Sequence, residues 1–74
     1  MTREEIRKQV GRNIAEARRR AGLSQTQLAA RLETASQEVS RLEHGRQSCP
    51  GLPTLLRVAR ALDVPLTALL DGIE

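Results

Sequence analysis

Residues 24–43 read SQTQLAARLETASQEVSRLE, and this stretch decides the fold. Ser24 and Gln27 have capping-box spacing, which opens a helix over about Gln25–Leu32. Leu28, Ala29 and Leu32 recur at helical spacing and make its inner face. Glu33-Thr34-Ala35 is then a three-residue turn into a further helix over about Ser36–Glu43. Val39 and Leu42 turn inward there, and Gly45 ends it.

Upstream, Thr2 and Glu5 form another capping box, opening a long first helix. Its buried stripe is Ile6, Val10, Ile14, Ala17 and Ala21, and Gly22 stops it as a left-handed cap. Gly11 interrupts that helix at a cost of about 1 kcal/mol relative to Ala, so fraying is expected before Gly11. Downstream, Gln47–Gly51 reads as a loop and Leu52–Leu62 as a fourth helix, with Pro53 acceptable in its first turn. Asp63-Val64-Pro65 breaks it; Leu66, Leu69 and Leu70 make a short fifth helix that Gly72 terminates. No segment alternates with period two over four or more residues, so no strand is expected. The expectation is one all-α domain over 1–74, a compact bundle of five helices without repeat or linker.

Composition narrows the function. The 74 residues contain no Phe, Tyr or Trp, so the core is aliphatic and no aromatic platform exists for stacking bases of single-stranded nucleic acid. One Cys, Cys49, excludes an internal disulfide framework. With one His, His44, it falls short of the four ligands of a structural zinc site. No catalytic constellation and no Gly-rich phosphate loop is present, so neither an enzyme nor a cofactor is expected. No apolar run approaches the roughly 18 residues of a membrane span, which points to a soluble cytoplasmic protein without a membrane partner. Residues 1–62 hold twelve bases and six acids, hence +6, whereas residues 63–74 hold three acids and no base. Eleven of the bases are Arg, suited to bidentate bonding to phosphate and guanine. The pattern is that of a polyanion-facing body with an acidic end directed elsewhere.

Two short helices across a tight turn, set between a long first helix and two later ones, suggest a helix-turn-helix DNA binder with its motif at about 24–43. The run Gly22-Leu23-Ser24-Gln25 through Leu32 resembles the first half of the motif in the lambda-repressor/Cro (Xre-like) family. Ser36 to Glu43-His44-Gly45 resembles that family's recognition helix and the Glu-x-Gly after it. Pro53-Thr54-Leu55 onward, with Leu69-Leu70-Asp71-Gly72, is similar to its last two helices, so the resemblance spans about residues 10–72. Three positions depart from the pattern. Glu33 stands where the family commonly has Gly, at about 1 kcal/mol if the backbone needs positive φ. Ala35 replaces a hydroxyl cap, for which Thr34 is a substitute by its spacing to Gln37, and Pro65 replaces the Ser-like cap of the fifth helix.

With Val39 and Leu42 inward, Ser36, Gln37, Ser40 and Arg41 share the other face, as DNA base-contacting candidates. Gln37 matches adenine N6 and N7, and the Arg41 fork matches guanine O6 and N7. Gln25, beside the free N–H groups of its helix, is a phosphate-contacting candidate, as are Arg46 and Arg12. The resemblance further implies that Arg18 pairs with Glu43. That pair either holds the fold alone or also leaves a guanidinium edge for a phosphate. Arg19 and Arg20 read as solvated surface.

These readings describe a transcriptional regulator, in the first instance a repressor, binding a palindromic or near-palindromic double-stranded DNA operator as a homodimer. Val64, Pro65, Leu66, Leu70 and Ile73 are the expected dimer interface. A chain of 74 residues leaves no room for a ligand-sensing domain unless it is a fragment of a longer protein. The alternatives are an antitoxin of a toxin–antitoxin operon, with a toxin as partner, and a protein-interaction adaptor that has the fold without binding DNA. The +6 body argues against the adaptor, and the chain's end near Gly72 against the antitoxin.

Overall fold

The structure is a computed structural model that describes residues 1–46 and 50–73. Gln47, Ser48 and Cys49, for which the sequence predicts a loop, lie outside the described residues. Five helices follow one another: α1 (Arg3–Arg20), α2 (Gln25–Leu32), α3 (Ser36–His44), α4 (Leu52–Leu62) and α5 (Leu66–Leu69). Among the described residues there is no strand, and no helix is long and apolar enough to cross a membrane.

Local chemistry sets most boundaries. Both expected capping boxes form: Thr2 with Glu5 opens α1, and Ser24 with Gln27 opens α2. The Thr2 backbone N–H, then its hydroxyl, holds the Glu5 carboxyl below its ordinary pKa. Gly22 takes φ +74° behind α1, where the Leu23 N–H reaches the Arg18 carbonyl and closes the helix. The aliphatic core is centred on Val10 and Ile14 of α1, Leu28 of α2, Val39 of α3, Val58 of α4 and Leu69 of α5, all almost fully buried. Polar tethers reinforce it. Buried Asn13 donates to the carbonyls of Leu69 (3.0 Å) and Asp71 (2.8 Å), tying the end of α5 to α1.

The ends of α2 and α4 share a solution. Each stops on an acid in the left-handed region, Glu33 at φ 56° and Asp63 at φ 55°. Each also lends an arginine to the other's last turn: Arg57 donates to the Leu32 carbonyl at 2.6 Å, and Arg31 to the Ala61 carbonyl at 2.9 Å. Carbonyls that a helix end leaves without intrahelical donors are thereby satisfied across the packing. The conformational cost expected at Glu33 is therefore real, and it recurs at Asp63.

One expectation is corrected. Thr34 does not replace the missing cap of α3: the N-cap is Ala35, without a side-chain hydrogen bond, and the helix starts at Ser36. Gly11 falls in the middle of α1. The helix is continuous, and Gly11 is buried against the C-terminal turn of α3. A Cβ there would lie 2.6 Å from the Leu42 carbonyl oxygen and nearer still to that of Glu43. At the same crossing, a Cβ on Gly45 would sit 3.1 Å from the backbone of Arg7 and Lys8. The two glycines let α1 and the end of α3 approach backbone to backbone, which a propensity argument cannot anticipate.

Gly11→Ala is accordingly expected to destabilise the domain by about 1–3 kcal/mol in urea unfolding, against the helix propensity that favours Ala. A stabilised variant would show that the crossing relaxes freely. Ala35→Ser should act in the opposite sense. It completes an S-x-x-E capping box with Glu38 and is expected to raise stability by about 1 kcal/mol, read as a higher urea midpoint.

Candidate nucleic-acid interface

The surface of interest is built on α3. Its buried line is Val39 and Glu43 with partly buried Leu42, so the residues between them turn outward. Gln37 is exposed, and its side chain makes no hydrogen bond with the described residues. Arg41 is exposed one turn further on, its Nη1 donating to Glu38 Oε1 at 3.2 Å. Ser36 and Ser40 are half-buried between this face and the body. The Ser40 carbonyl lies 2.8 Å from His44 Nδ1. The face predicted from the sequence is thus assembled on one helix, with Gln37 and Arg41 its protruding members.

What orients this helix lies on its opposite side. Arg18 of α1 grips Glu43 in a fork, Nε to Oε2 at 2.5 Å and Nη2 to Oε1 at 3.1 Å. Its third nitrogen, Nη1, donates to the Leu23 carbonyl at 2.8 Å. The Glu43 side chain is 4% exposed and that of Arg18 11%, so the pair sits largely out of water. Gln25, the first residue of α2, adds a third donor: its Nε2 lies 3.0 Å from Glu43 Oε1. One carboxylate thereby joins three helices. The implied Arg18–Glu43 pair is present. Of the two roles considered for Arg18, the engagement of all three nitrogens favours the structural one. The Gln25 amide likewise points its nitrogen at Glu43 rather than standing free at the helix start.

The other basic candidates lie around this core. Arg12 is exposed on α1 and donates to Gln9 at 2.8 Å; Arg46 is exposed directly after α3. Arg12, Arg18, Gln25 and Glu43 line one open depression between α1, α2 and the end of α3, and Arg19 lines it too. The sequence reading left Arg19 as solvated surface; its spacing of seven from Arg12, two helical turns along one side of α1, is the signal that could have grouped them. Among the described residues no three His, Cys, Asp or Glu side chains come together to hold a metal ion. Of the expected interface residues, Val64, Leu66 and Ile73 are partly buried against the core, while Pro65 and Leu70 stay exposed. Leu52 and Leu56 of α4, not singled out from the sequence, are exposed as well.

A polar helix face on a helix-turn-helix frame, backed by a basic body, defines a DNA-binding class of protein. The comparisons agree. A helix-turn-helix family model matches residues 14–69, and the chain belongs to that family, in its lambda-repressor-like (Xre) form. It is 43% identical over 60 residues to y4dJ of Sinorhizobium fredii (strain NBRC 101917 / NGR234), described as an uncharacterized HTH-type transcriptional regulator, covering 81% of this chain and 77% of the relative. The fold is similar to that of the clp gene regulator ClgR from C. glutamicum, with TM-score 0.82 and 25% identity over 88% of this chain and 83% of that one. It is also similar to the restriction-modification controller protein C.AhdI from Aeromonas hydrophila, with TM-score 0.77 and 31% identity over 84% and 92% of the two chains.

Removing one partner from a shielded ion pair strands the other charge. Glu43→Ala is therefore expected to destabilise the domain by about 3–5 kcal/mol in urea unfolding. A loss below about 1 kcal/mol, the range of exposed pairs, would mean that the fork contributes nothing beyond a surface contact.

Proposed function

We propose that this chain is a sequence-specific regulator of transcription, working as a homodimer on a palindromic or near-palindromic operator with α3 in the major groove. The observation that carries the reading is the outward side of α3, where Gln37 and Arg41 stand one turn apart. Gln37 gives and takes a hydrogen bond with adenine, and Arg41 forks onto guanine. The guanidinium has five N–H groups, so two can meet guanine while another stays with Glu38. Ser36 and Ser40, half-sunk, are the shorter contacts.

Backbone contacts position the domain without reading bases. We assign them to Arg46, Arg12 and the start of α2 at Gln25, and assign Arg18 to the scaffold beneath them. One small domain offers few contacts, and two recognition helices must sit about 34–36 Å apart to meet successive turns on one face of DNA. Dimerisation supplies the second helix. Pro65 and Leu70, with the uncovered edges of Val64, Leu66 and Ile73, are the surface assigned to it. The names of the relatives support a regulatory role: a transcriptional regulator, a gene regulator and a controller protein. Repression from the cytoplasm, by a single non-enzymatic domain, is the form proposed here.

Selection of bound sites from a random duplex pool gives the operator, and fluorescence anisotropy then separates the roles. Arg41→Ala is expected to cost roughly 1–3 kcal/mol on the selected site, to relax the preference at one base pair per half-site, and to leave the salt dependence nearly unchanged. Arg46→Ala should lower the slope of log K against log salt by about 0.9 and leave the base preference intact. Equal losses for Arg41→Ala on selected and random duplexes would remove Arg41 from base reading.

A further inference from the structure

Arg41 in the last turn of α3 and Arg46 directly after it are both exposed, and the residue three places before each sets them apart. Before Arg46 stands Glu43, already engaged by Arg18, and the Arg46 side chain has no hydrogen bond or ion pair among the described residues. Before Arg41 stands Glu38, whose Oε1 accepts from Arg41 Nη1 at 3.2 Å. Glu38 is half-buried at the edge of the outward face, where it lines a hollow with Thr34, Leu42 and, from α4, Thr54 and Arg57. It is the shorter and better anchored member of the pair. An acid beside a DNA-reading face opposes every approaching phosphate, whatever the sequence. The favourable place of an acid in the first turn of α3 accounts for Glu38 itself, but not for its hold on Arg41.

We propose that Glu38 is a specificity-determining residue that acts through Arg41: it keeps the guanidinium on base edges and off the phosphates, raising discrimination at some loss of affinity. The inference rests on the reading of Arg41 as a base contact and assigns the reason that it reads bases. A long, rotamer-rich Arg on a major-groove helix reaches either a guanine edge or a flanking phosphate, and a phosphate contact carries no sequence information. With one N–H held by Glu38, the guanidinium keeps four others, enough for the fork onto guanine O6 and N7. Guanine therefore adds two hydrogen bonds and breaks none. A phosphate is taken only by leaving Glu38 or by bringing a second anion up to its carboxylate. In water the bias is modest, since a pair this exposed is worth a factor of about five at most. It strengthens in the groove, where water is displaced and a Glu38 carboxylate deserted by Arg41 would face the phosphates alone.

The test is a double-mutant cycle read on two DNAs. Wild type, Glu38→Gln, Arg41→Ala and the double variant, each as the full chain, are titrated by fluorescence anisotropy on the selected operator and on a random duplex of equal length, across a salt series. Glu38→Gln is expected to tighten random binding and to steepen its log–log salt slope by about 0.9, as Arg41 takes up a phosphate. The ratio of selected to random affinity should fall about two- to fivefold. In the Arg41→Ala background, Glu38→Gln should leave ratio and slope unchanged. Glu16→Gln is the charge control: Glu16 is an exposed acid on α1, 2.5 Å from Arg20 Nη2, and its loss should move both affinities alike. An unchanged ratio in Glu38→Gln, beside the relaxed base preference expected of Arg41→Ala, would overturn the role of Glu38 alone. So would an equal fall in Glu16→Gln, or a fall that persists without Arg41, which would make Glu38 a base contact in its own right. Equal losses for Arg41→Ala on both duplexes would defeat the base reading and this role with it. Urea unfolding of each variant separates out the helix start: a purely structural Glu38 would lower the midpoint and leave ratio and slope unmoved.

Discussion

The carboxylate of Glu43 is taken out of water and surrounded by donors from two other helices, Arg18 of α1 and Gln25 of α2. Burying a charge is expensive, and the attraction of its partner repays the cost only where the geometry is good and the remaining lone pairs are used. Both conditions hold here. The gain is direction rather than net stability: an apolar residue at the end of α3 would pack about as well at several rotations. A bidentate fork accepts one. Since Gln37 and Arg41 project from the opposite side of the same helix, the rotation set at Glu43 is the rotation with which they leave the surface.

That fork bridges two helices, α1 and α3, whose close approach Gly11 and Gly45 allow. The residue that weakens α1 as an isolated helix is therefore the one that lets it seat its neighbour. The same exchange of local for tertiary preference recurs where α2 and α4 end on left-handed acids. Each helix end is conformationally costly, and each is held by an arginine from the other helix. Glu33 lies in the turn that leads into α3, so this second linkage fixes the approach to the helix whose far end Glu43 secures.

Much of this was legible in the sequence because the signals were local. Capping boxes, glycine stops and the spacing of Leu28, Val39 or Leu69 each involve residues within a turn or two of one another. The reading was weaker wherever one residue's role depends on a distant one. Asn13 is a polar residue on the buried side of α1, and nothing near it in sequence announces carbonyls at Leu69 and Asp71. Gly11 looked like a flaw because its partner is more than thirty residues away. Arg31 and Arg57 are indistinguishable from surface arginines until α2 and α4 are packed. The Arg18–Glu43 pair, equally distant, came from family resemblance, and the recognition face came from periodicity and resemblance together. Dimer residues drawn from hydrophobicity alone could not separate Val64 and Leu66, partly buried against this chain's own core, from Leu70, which remains exposed.

The side chains that face outward from α3 hold nothing up. Gln37 touches no polar partner, and the one polar contact seen for Arg41 is an exposed neighbour on its own helix. The groups that hold α3 in place are all on the other side. Within one rigid frame, the binding preference and the integrity of the fold are therefore assigned to separate sets of positions. Such a frame can be retargeted by replacing a few protruding letters, in natural divergence or by design, while Arg18, Glu43 and Gly11 are kept. A lineage could accumulate many address labels on one unchanged chassis.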